Sequence, residues 1–154
     1  MGLKGKLVSQ ISIKSDGDVL IELFRDKQHH IPNICPDLIQ SVDLLSGQWG
    51  SLGSVFVWNF NLDGKTVASK EMMEAIDEKK KSVTYKMIEG GLLELYKTMK
   101  FILSVDTSEE DNQLVTLAYE YEKKTEDVPD PCTMMDATVD LIRAVERYQL
   151  QVPT

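Results

Sequence analysis

The side chains of this sequence that could do chemistry are two adjacent histidines and several hydroxyl groups. His29 and His30 titrate near neutral pH, so either could act as a general acid or base. Because neighbouring residues on a regular element point in different directions, the two rings do not predict one joint site. No arrangement of serine or cysteine with histidine supports nucleophilic catalysis. The hydroxyl groups that could orient a ligand belong to Tyr85, Tyr119, Tyr121 and Thr138.

A glycine-rich loop, SGQWGSLGS at Ser46–Ser54, raises the question of a phosphate site. A Walker loop ends in Gly-Lys-Ser/Thr, and both it and a dinucleotide loop open a helix whose N-terminus holds the phosphate. Here Gly53 is followed by Ser54 and Val55, and the chain continues into SVFVWNFNL, which alternates like a strand. We therefore predict a hairpin loop whose glycines adopt positive φ angles, and no phosphate site.

Composition narrows the possible partners and the expected location. The net charge of −8 repels nucleic-acid phosphates and anionic membranes, so neither nucleic-acid binding nor membrane insertion is expected. Cys35 and Cys132 are predicted to be free thiols, and no Cys/His cluster has metal-ligand spacing, so neither a metal nor another cofactor is expected. The first residues, MGLKGKLVSQ, lack the apolar segment of a signal peptide, which favours a cytoplasmic location.

Hydrophobic periodicity predicts one strand, two short helices and six further strands. Leu3–Lys14 alternates as a half-buried strand. Ser15 or Asp16 can cap a first helix, and a second short helical piece is expected near Ile31–Cys35. Short turns separate the later strands, which indicates antiparallel neighbours. These strands are predicted at Ile39–Leu45, Ser54–Leu62, Lys65–Asp77, Ser82–Glu89, Leu93–Asp106 and Leu114–Lys123.

A long helix is predicted at the end of the chain, with Asp130 as its N-cap and Pro131 at its first position. Its apolar stripe consists of Met134, Met135, Thr138, Leu141, Ile142, Val145 and Tyr148. The element order indicates an α+β fold in which this helix packs on an antiparallel sheet. Six strands span roughly 25–30 Å, whereas a helix is only about 10–12 Å across. The sheet must therefore curl around the helix, which leaves a groove between them.

Alternation within the strands predicts which side chains line that groove. The inward sets mix methionine, tyrosine and tryptophan with aliphatic residues, a mixture that suits an amphipathic ligand. On Leu93–Asp106 the more apolar alternate positions are Leu95, Met99, Phe101, Leu103 and Val105.

Four blocks of the sequence resemble the plant major latex protein family, a branch of the Bet v 1-like (START-like, helix-grip) superfamily. The blocks are GKLVSQISIKSDGDV, HHIPNICPDLIQSVDLLSGQWGSLGSVFVWNF, DGKTVASKEMMEAIDEKKKSVTYKMIEGGLLELYKTMK and YEYEKKTEDVPDP. Their order and spacing match the family over essentially the whole chain. The resemblance implies a single domain over residues 1–154. It further implies a seven-stranded curved antiparallel sheet wrapped around a long C-terminal helix, two short helices after strand 1, and a large internal cavity.

The resemblance also implies a function. Members of this family are expected to bind or carry hydrophobic or amphipathic plant metabolites of the sterol, hormone-like, flavonoid or alkaloid class, with links to defence, stress or development. The partner is then a hydrophobic small molecule, and the protein a monomer or weak dimer. The alternative is an isomerase or synthase that acts on an alkaloid-like ligand in the same cavity, although no catalytic residue is assigned. The residues expected to contact the ligand are Leu23, Ile34, Ile39, Phe56, Trp58, Phe60, Tyr85, Met87, Met99, Phe101, Leu117, Tyr119, Met134, Thr138 and Leu141.

Overall fold

The computed structural model describes residues 3–151, and the remaining ends of the predicted 1–154 domain lie outside the described residues. The strands are β1 (Lys4–Ile13), β2 (Ile39–Ser46), β3 (Val55–Leu62), β4 (Lys65–Asp77), β5 (Ser82–Gly90), β6 (Tyr96–Asp106) and β7 (Gln113–Lys123). The helices are α1 (Gly17–Asp26), α2 (Ile31–Ile34) and α3 (Cys132–Gln151), with 3-10 turns at Gln28–His30 and Gly91–Glu94. All seven strands form one antiparallel sheet in the order β1-β7-β6-β5-β4-β3-β2. This confirms the predicted α+β architecture.

Local sequence signals account for the first elements. In β1 the side chains alternate between the two faces. Val8 is apolar but lies on the outer face, among the polar residues, and is 49% exposed. The Asp16 carboxylate accepts a hydrogen bond of 2.9 Å from the Asp18 backbone N–H, which satisfies one free donor at the start of α1. The α1 helix then buries Leu20, Phe24 and their apolar neighbours against the sheet.

The sheet curves around α3, as its width relative to one helix requires. The helix contacts both β1, at one edge of the sheet, and β3, next to the other edge, and α2 also packs on it. Ile142 and Val145 on its inner face are completely buried. Tyr148, which was predicted to belong to the same stripe, is instead 43% exposed. The space enclosed by sheet and helix is the interior of the domain.

The predicted start of the sixth strand is wrong. Residues 91–94 form a 3-10 turn, and β6 begins only at Tyr96. Gly90 has a φ of +152° and lies so close to the Ala68 carbonyl that a Cβ atom would be 3.0 Å from it. The chain therefore leaves the sheet at this glycine, and Leu95, predicted to point inward, is 46% exposed.

The predicted cap of the long helix is also wrong. α3 begins at Cys132, and the Pro131 carbonyl accepts a 3.0 Å hydrogen bond from Met135 N–H. The Asp130 carboxylate contacts two residues of β7 instead. It accepts a hydrogen bond from Tyr121 Oη at 2.7 Å and forms an ion pair with Lys123 Nζ at 3.0 Å. Because its carboxylate is bound to these partners on β7, Asp130 does not cap the helix.

The glycine-rich loop is a hairpin connection, as predicted. It joins β2 to β3, and Gly47, Gly50 and Gly53 have φ angles of +80°, +82° and +79°. Because a strand and not a helix follows, the loop lacks the positive helix terminus that a phosphate site needs.

Replacing Gly50 with alanine should destabilise the protein by about 1–3 kcal/mol, because the new Cβ adds steric overlap to left-handed backbone strain. That Cβ atom would lie only 2.8 Å from Asp26 Cβ on α1. The matched control is Gly53→Ala, which has the same positive φ but no atom within 4 Å of the new Cβ. Urea unfolding measures the free energy of unfolding of both variants. Equal losses of stability in Gly50→Ala and Gly53→Ala would contradict a steric effect of Asp26.

Candidate functional site

A cavity lies between the concave face of the sheet and α3. Its volume, counted as the space open to the centre of a water molecule, is about 70 Å³. One water needs about 10–15 Å³ on this measure, so a ligand much larger than a few waters must displace lining side chains. Three of these are methionines, whose flexible thioethers adapt readily. The lining residues are Phe24, Leu38, Ile39, Trp58, Phe60, Asn61, Glu71, Tyr85, Met87, Met99, Phe101, Tyr119, Met134, Ala137, Thr138 and Leu141.

The structure places most of the predicted ligand contacts in this wall. Those that line the cavity are Ile39, Trp58, Phe60, Tyr85, Met87, Met99, Phe101, Tyr119, Met134, Thr138 and Leu141. Strand alternation and the stripe of α3 bring them together, since each strand turns every second side chain towards the helix.

Four predicted contacts do not line the cavity. Leu117 is completely buried opposite Leu103 in the β6–β7 pair. Phe56 is also completely buried, with its ring edge-on to Tyr85 at a centroid distance of 5.1 Å. Leu23 is buried on α1, and Ile34 on α2 is partly buried against the core. All four belong to the packed core around the cavity.

Five lining residues were missing from the sequence-based set, namely Phe24, Leu38, Asn61, Glu71 and Ala137. The signal for Glu71 was present in the β3–β4 hairpin. Asp63 and Gly64 form a two-residue turn with positive φ angles, which pairs Leu62 with Lys65. Continuing that register pairs Phe56 with Glu71, and cross-strand partners share one face of a sheet. The turn and the inward position of Phe56 together therefore predict an inward carboxyl group.

The mouth of the cavity is marked by the lining residues that remain partly exposed. These are Leu38 and Asn61 on one side and Met134 and Ala137 on α3 on the other. Asn61 is held in place by donating a 2.6 Å hydrogen bond from Nδ2 to the Asp37 carbonyl. The opening thus lies between the first half of α3 and the segment that connects α2 to β2.

The Tyr85 hydroxyl is engaged within the protein. It donates to the Phe24 carbonyl at the end of α1, and Gln28 Nε2 donates to it at 3.4 Å. Burial raises the pKa of Tyr85 well above its usual value, so the phenol stays neutral. The Tyr85 proton is therefore already used in the hydrogen bond to α1, and a ligand could only donate a hydrogen bond to the phenol oxygen.

The Tyr119 hydroxyl is engaged in the same way. It lies 2.6 Å from Thr138 Oγ1, and Thr138 donates its own proton to the Met134 carbonyl at 2.9 Å. Since a threonine hydroxyl has one proton, Tyr119 must be the donor in the shared bond. Burial raises the pKa of Tyr119 as well, so this phenol is also neutral.

Glu71 is the ionisable carboxyl group of the cavity wall. It is 8% exposed and lies on β4 between Phe56 of β3 and Met87 of β5. Burial raises its pKa to about 7, and the opposing influence of the Ser69 hydroxyl does not offset this rise. Near neutral pH the group therefore exists in both protonation states.

The two histidines lie outside the cavity wall. Both are exposed, and the His29 ring stacks on Trp49 of the glycine-rich loop at a centroid distance of 4.6 Å. Partial burial, followed by the nearby His30, lowers the pKa of His29. The geometry therefore gives neither ring an acid or base role in the cavity.

Comparison with known proteins places the chain in a family. The family model of the pathogenesis-related protein Bet v 1 family matches residues 2–152. MLP-like protein 43 of Arabidopsis thaliana is 32% identical over 149 residues, which are 96% of this chain and 94% of that protein.

Solved structures agree with this assignment. The crystal structure of ginseng major latex-like protein 151 from Panax ginseng has a TM-score of 0.94 at 47% identity, over 97% of this chain and 99% of that one. Truncated norcoclaurine synthase from Thalictrum flavum has a TM-score of 0.78 at 18% identity over 97% and 96% of the two chains, which shows a shared fold alone. Within residues 3–151, no helix is both long and apolar enough to cross a bilayer. The family model, the curated relative and the ginseng structure together show that this chain belongs to the Bet v 1 family, with major latex-like proteins among its relatives.

Proposed function

We propose that this protein binds a hydrophobic or amphipathic small metabolite in the cavity between the sheet and α3. The observation that carries the proposal is the wall itself, which combines apolar and aromatic side chains with a few polar groups at fixed positions. Ligand sites of proteins have this composition. Membership of the Bet v 1 family supports the same function.

Affinity in such a site comes mainly from the burial of apolar surface, at about 25 cal/mol per Å². Met87, Met99 and Met134 line the cavity, and their flexible side chains can yield to a ligand larger than the present space. The ligand classes that suit this chemistry are sterols, hormone-like compounds, flavonoids and alkaloids. We further propose that the protein acts as a cytoplasmic monomer or weak dimer in development, defence or stress responses.

Binding of the neutral fluorescent dye N-phenyl-1-naphthylamine tests this function. We expect the dye to brighten and saturate at micromolar concentrations, because it leaves water for an apolar wall. Replacing Ala137 with tryptophan should weaken binding at least tenfold, because Ala137 lines the mouth and an indole there would fill it.

The matched control is Thr133→Trp, which adds the same side chain at an exposed position of α3 outside the wall. This variant should bind the dye like the unaltered protein. Circular dichroism and thermal unfolding would establish that both variants are folded. If the dye does not bind, or binds equally well to both variants, the cavity is not the binding site.

A further inference from the structure

Glu71 is a polar group of the cavity that has no counter-ion among residues 3–151. Its side chain is more than nine-tenths buried and borders the cavity. No lysine, arginine or histidine within residues 3–151 forms an ion pair with it. By contrast, Glu74 on the same strand pairs with Lys100 at 3.0 Å. A buried carboxylate without a counter-ion is costly, so a cationic ligand group would complete the charge balance of the site.

The neighbouring hydroxyls do not supply a counter-ion, because the Ser69 hydroxyl that interacts with the Glu71 carboxyl is neutral and the two tyrosine protons are engaged elsewhere. The Tyr85 proton is donated to the Phe24 carbonyl, and the Tyr119 proton is donated to Thr138. The cavity that Glu71 borders is lined by groups from α1, β2, β3, β5, β6, β7 and α3. They are Phe24 of α1, Leu38 just before β2, Ile39 of β2, Trp58, Phe60 and Asn61 of β3, Tyr85 and Met87 of β5, Met99 and Phe101 of β6, Tyr119 of β7, and Met134, Ala137, Thr138 and Leu141 of α3. Phe56 of β3 pairs with Glu71 across the strands, and Ser69 of β4 interacts with its carboxyl group. The two tyrosines are the titratable groups of that set, and both remain neutral.

Aromatic rings surround the same space. Rings from α1, β3, β5, β6 and β7 line the cavity, and they belong to Phe24, Trp58, Phe60, Tyr85, Phe101 and Tyr119. The faces of aromatic rings carry partial negative charge and attract an organic cation within about 6 Å. A carboxylate within a wall of aromatic rings is therefore the arrangement that recognises an ammonium group attached to an apolar body.

We propose that the ligand of this cavity is an amphipathic organic cation, an amine with an apolar or aromatic body, and that Glu71 is its counter-ion. This inference rests on the proposed binding function and narrows it to one charge class. The net charge of −8 also favours a cationic ligand, because it concentrates cations near the protein. The ammonium group would donate to the Glu71 carboxylate while the rings cover its apolar part.

Binding of a cation must then depend on the ionisation of Glu71. Since burial holds its pKa at about 7, the carboxyl group is mostly ionised at pH 8 and mostly protonated at pH 5.5. An amine that binds the ionised form loses affinity as pH falls, because the carboxyl group is increasingly protonated before binding. The amine itself stays protonated throughout this range. An uncharged ligand of the same shape would not show this loss.

The test uses two nearly isosteric probes, 2-(naphthalen-1-yl)ethylamine and 2-(naphthalen-1-yl)ethanol, in isothermal titration calorimetry at pH 8. We expect the amine to bind at least tenfold more tightly than the alcohol, and this preference to shrink at least fivefold at pH 5.5. In Glu71→Gln the preference and its pH dependence should both disappear, while the alcohol binds as before. The matched control Glu74→Gln removes one negative charge outside the cavity wall and should keep the preference.

The outcomes separate this inference from the function on which it rests. If the alcohol binds as tightly as the amine in the unaltered protein, the counter-ion role is overturned and the cavity still binds ligands. If the preference persists in Glu71→Gln, another group recognises the ammonium, and the role of Glu71 is overturned. If neither probe binds, both the inference and the proposed function fail. The comparison of probes and its pH dependence need no variant, so an absent preference, or one that does not change with pH, overturns the inference even if Glu71→Gln does not fold.

Discussion

Replacing Phe56 with alanine should lower the free energy of unfolding by about 3–5 kcal/mol, the usual loss for a large aromatic residue removed from a packed core. Phe56 is completely buried, its ring meets Tyr85 edge-on, and Trp49 of the glycine-rich loop packs on it at a centroid distance of 6.0 Å. Its removal leaves a new hole between β3 and the loop. Urea unfolding with linear extrapolation measures the loss, and a thermal midpoint many degrees lower should accompany it.

Phe60 provides the comparison for this variant. It lies on the same strand and faces the same way, but its ring borders the cavity. Since part of that ring already faces open space, Phe60→Ala removes fewer contacts and should cost clearly less stability. Dye binding should change in the opposite order, weakening in Phe60→Ala and remaining nearly unchanged in folded Phe56→Ala. Equal stability losses in the two variants would contradict the distinction between core and wall.

The fold could be predicted because its signals are local. The Asp63-Gly64 turn, the alternation of β1 and the stripe of α3 each depend on residues close together in the chain. The errors occurred where a distant partner decides the local structure. Asp130 forms a hydrogen bond with Tyr121 and an ion pair with Lys123, and Gly90 lies against the Ala68 carbonyl. Such contacts exist only once the sheet has formed.

The candidate site was less predictable, and β4 shows why. Its inward positions include Val67, Ser69, Glu71 and Met73, and its outward positions hold as many apolar residues, so alternation alone does not choose a face. Register from the β3–β4 turn resolves that choice. The engagement of the hydroxyls could not be obtained in the same way. The proton of Tyr85 goes to a backbone carbonyl of α1, 61 residues away in the chain, and no sequence pattern fixes such a distance.

A pH-dependent gain in stability is expected when Glu71 is replaced by glutamine. The pKa of this carboxyl group is about 7 in the folded protein and near its ordinary value of 4.5 in the unfolded chain. Between these two values the folded state binds more protons, so stability falls as pH rises through the window. The difference of about 2.5 pKa units corresponds to a free energy of unfolding that is about 3 kcal/mol lower above pH 7. This figure is an upper bound, because water in the neighbouring cavity can solvate the carboxylate. Glutamine carries no such penalty.

Glu71→Gln should therefore match the unaltered protein at pH 4.5 and exceed it at pH 8 by up to about 3 kcal/mol, measured by urea unfolding at each pH. Glu74→Gln serves as the control, because its carboxylate pairs with Lys100 at a partly exposed position and should shift stability by at most about 1 kcal/mol. A difference between Glu71→Gln and the unaltered protein that does not vary with pH would show that Glu71 does not titrate in this window.

The same charge links stability to function: if an ammonium ligand neutralises Glu71, its binding recovers the stability that the unpaired carboxylate removes. Saturating amine should then raise the stability of the unaltered protein more at pH 8 than at pH 5.5, and should do so only weakly in Glu71→Gln.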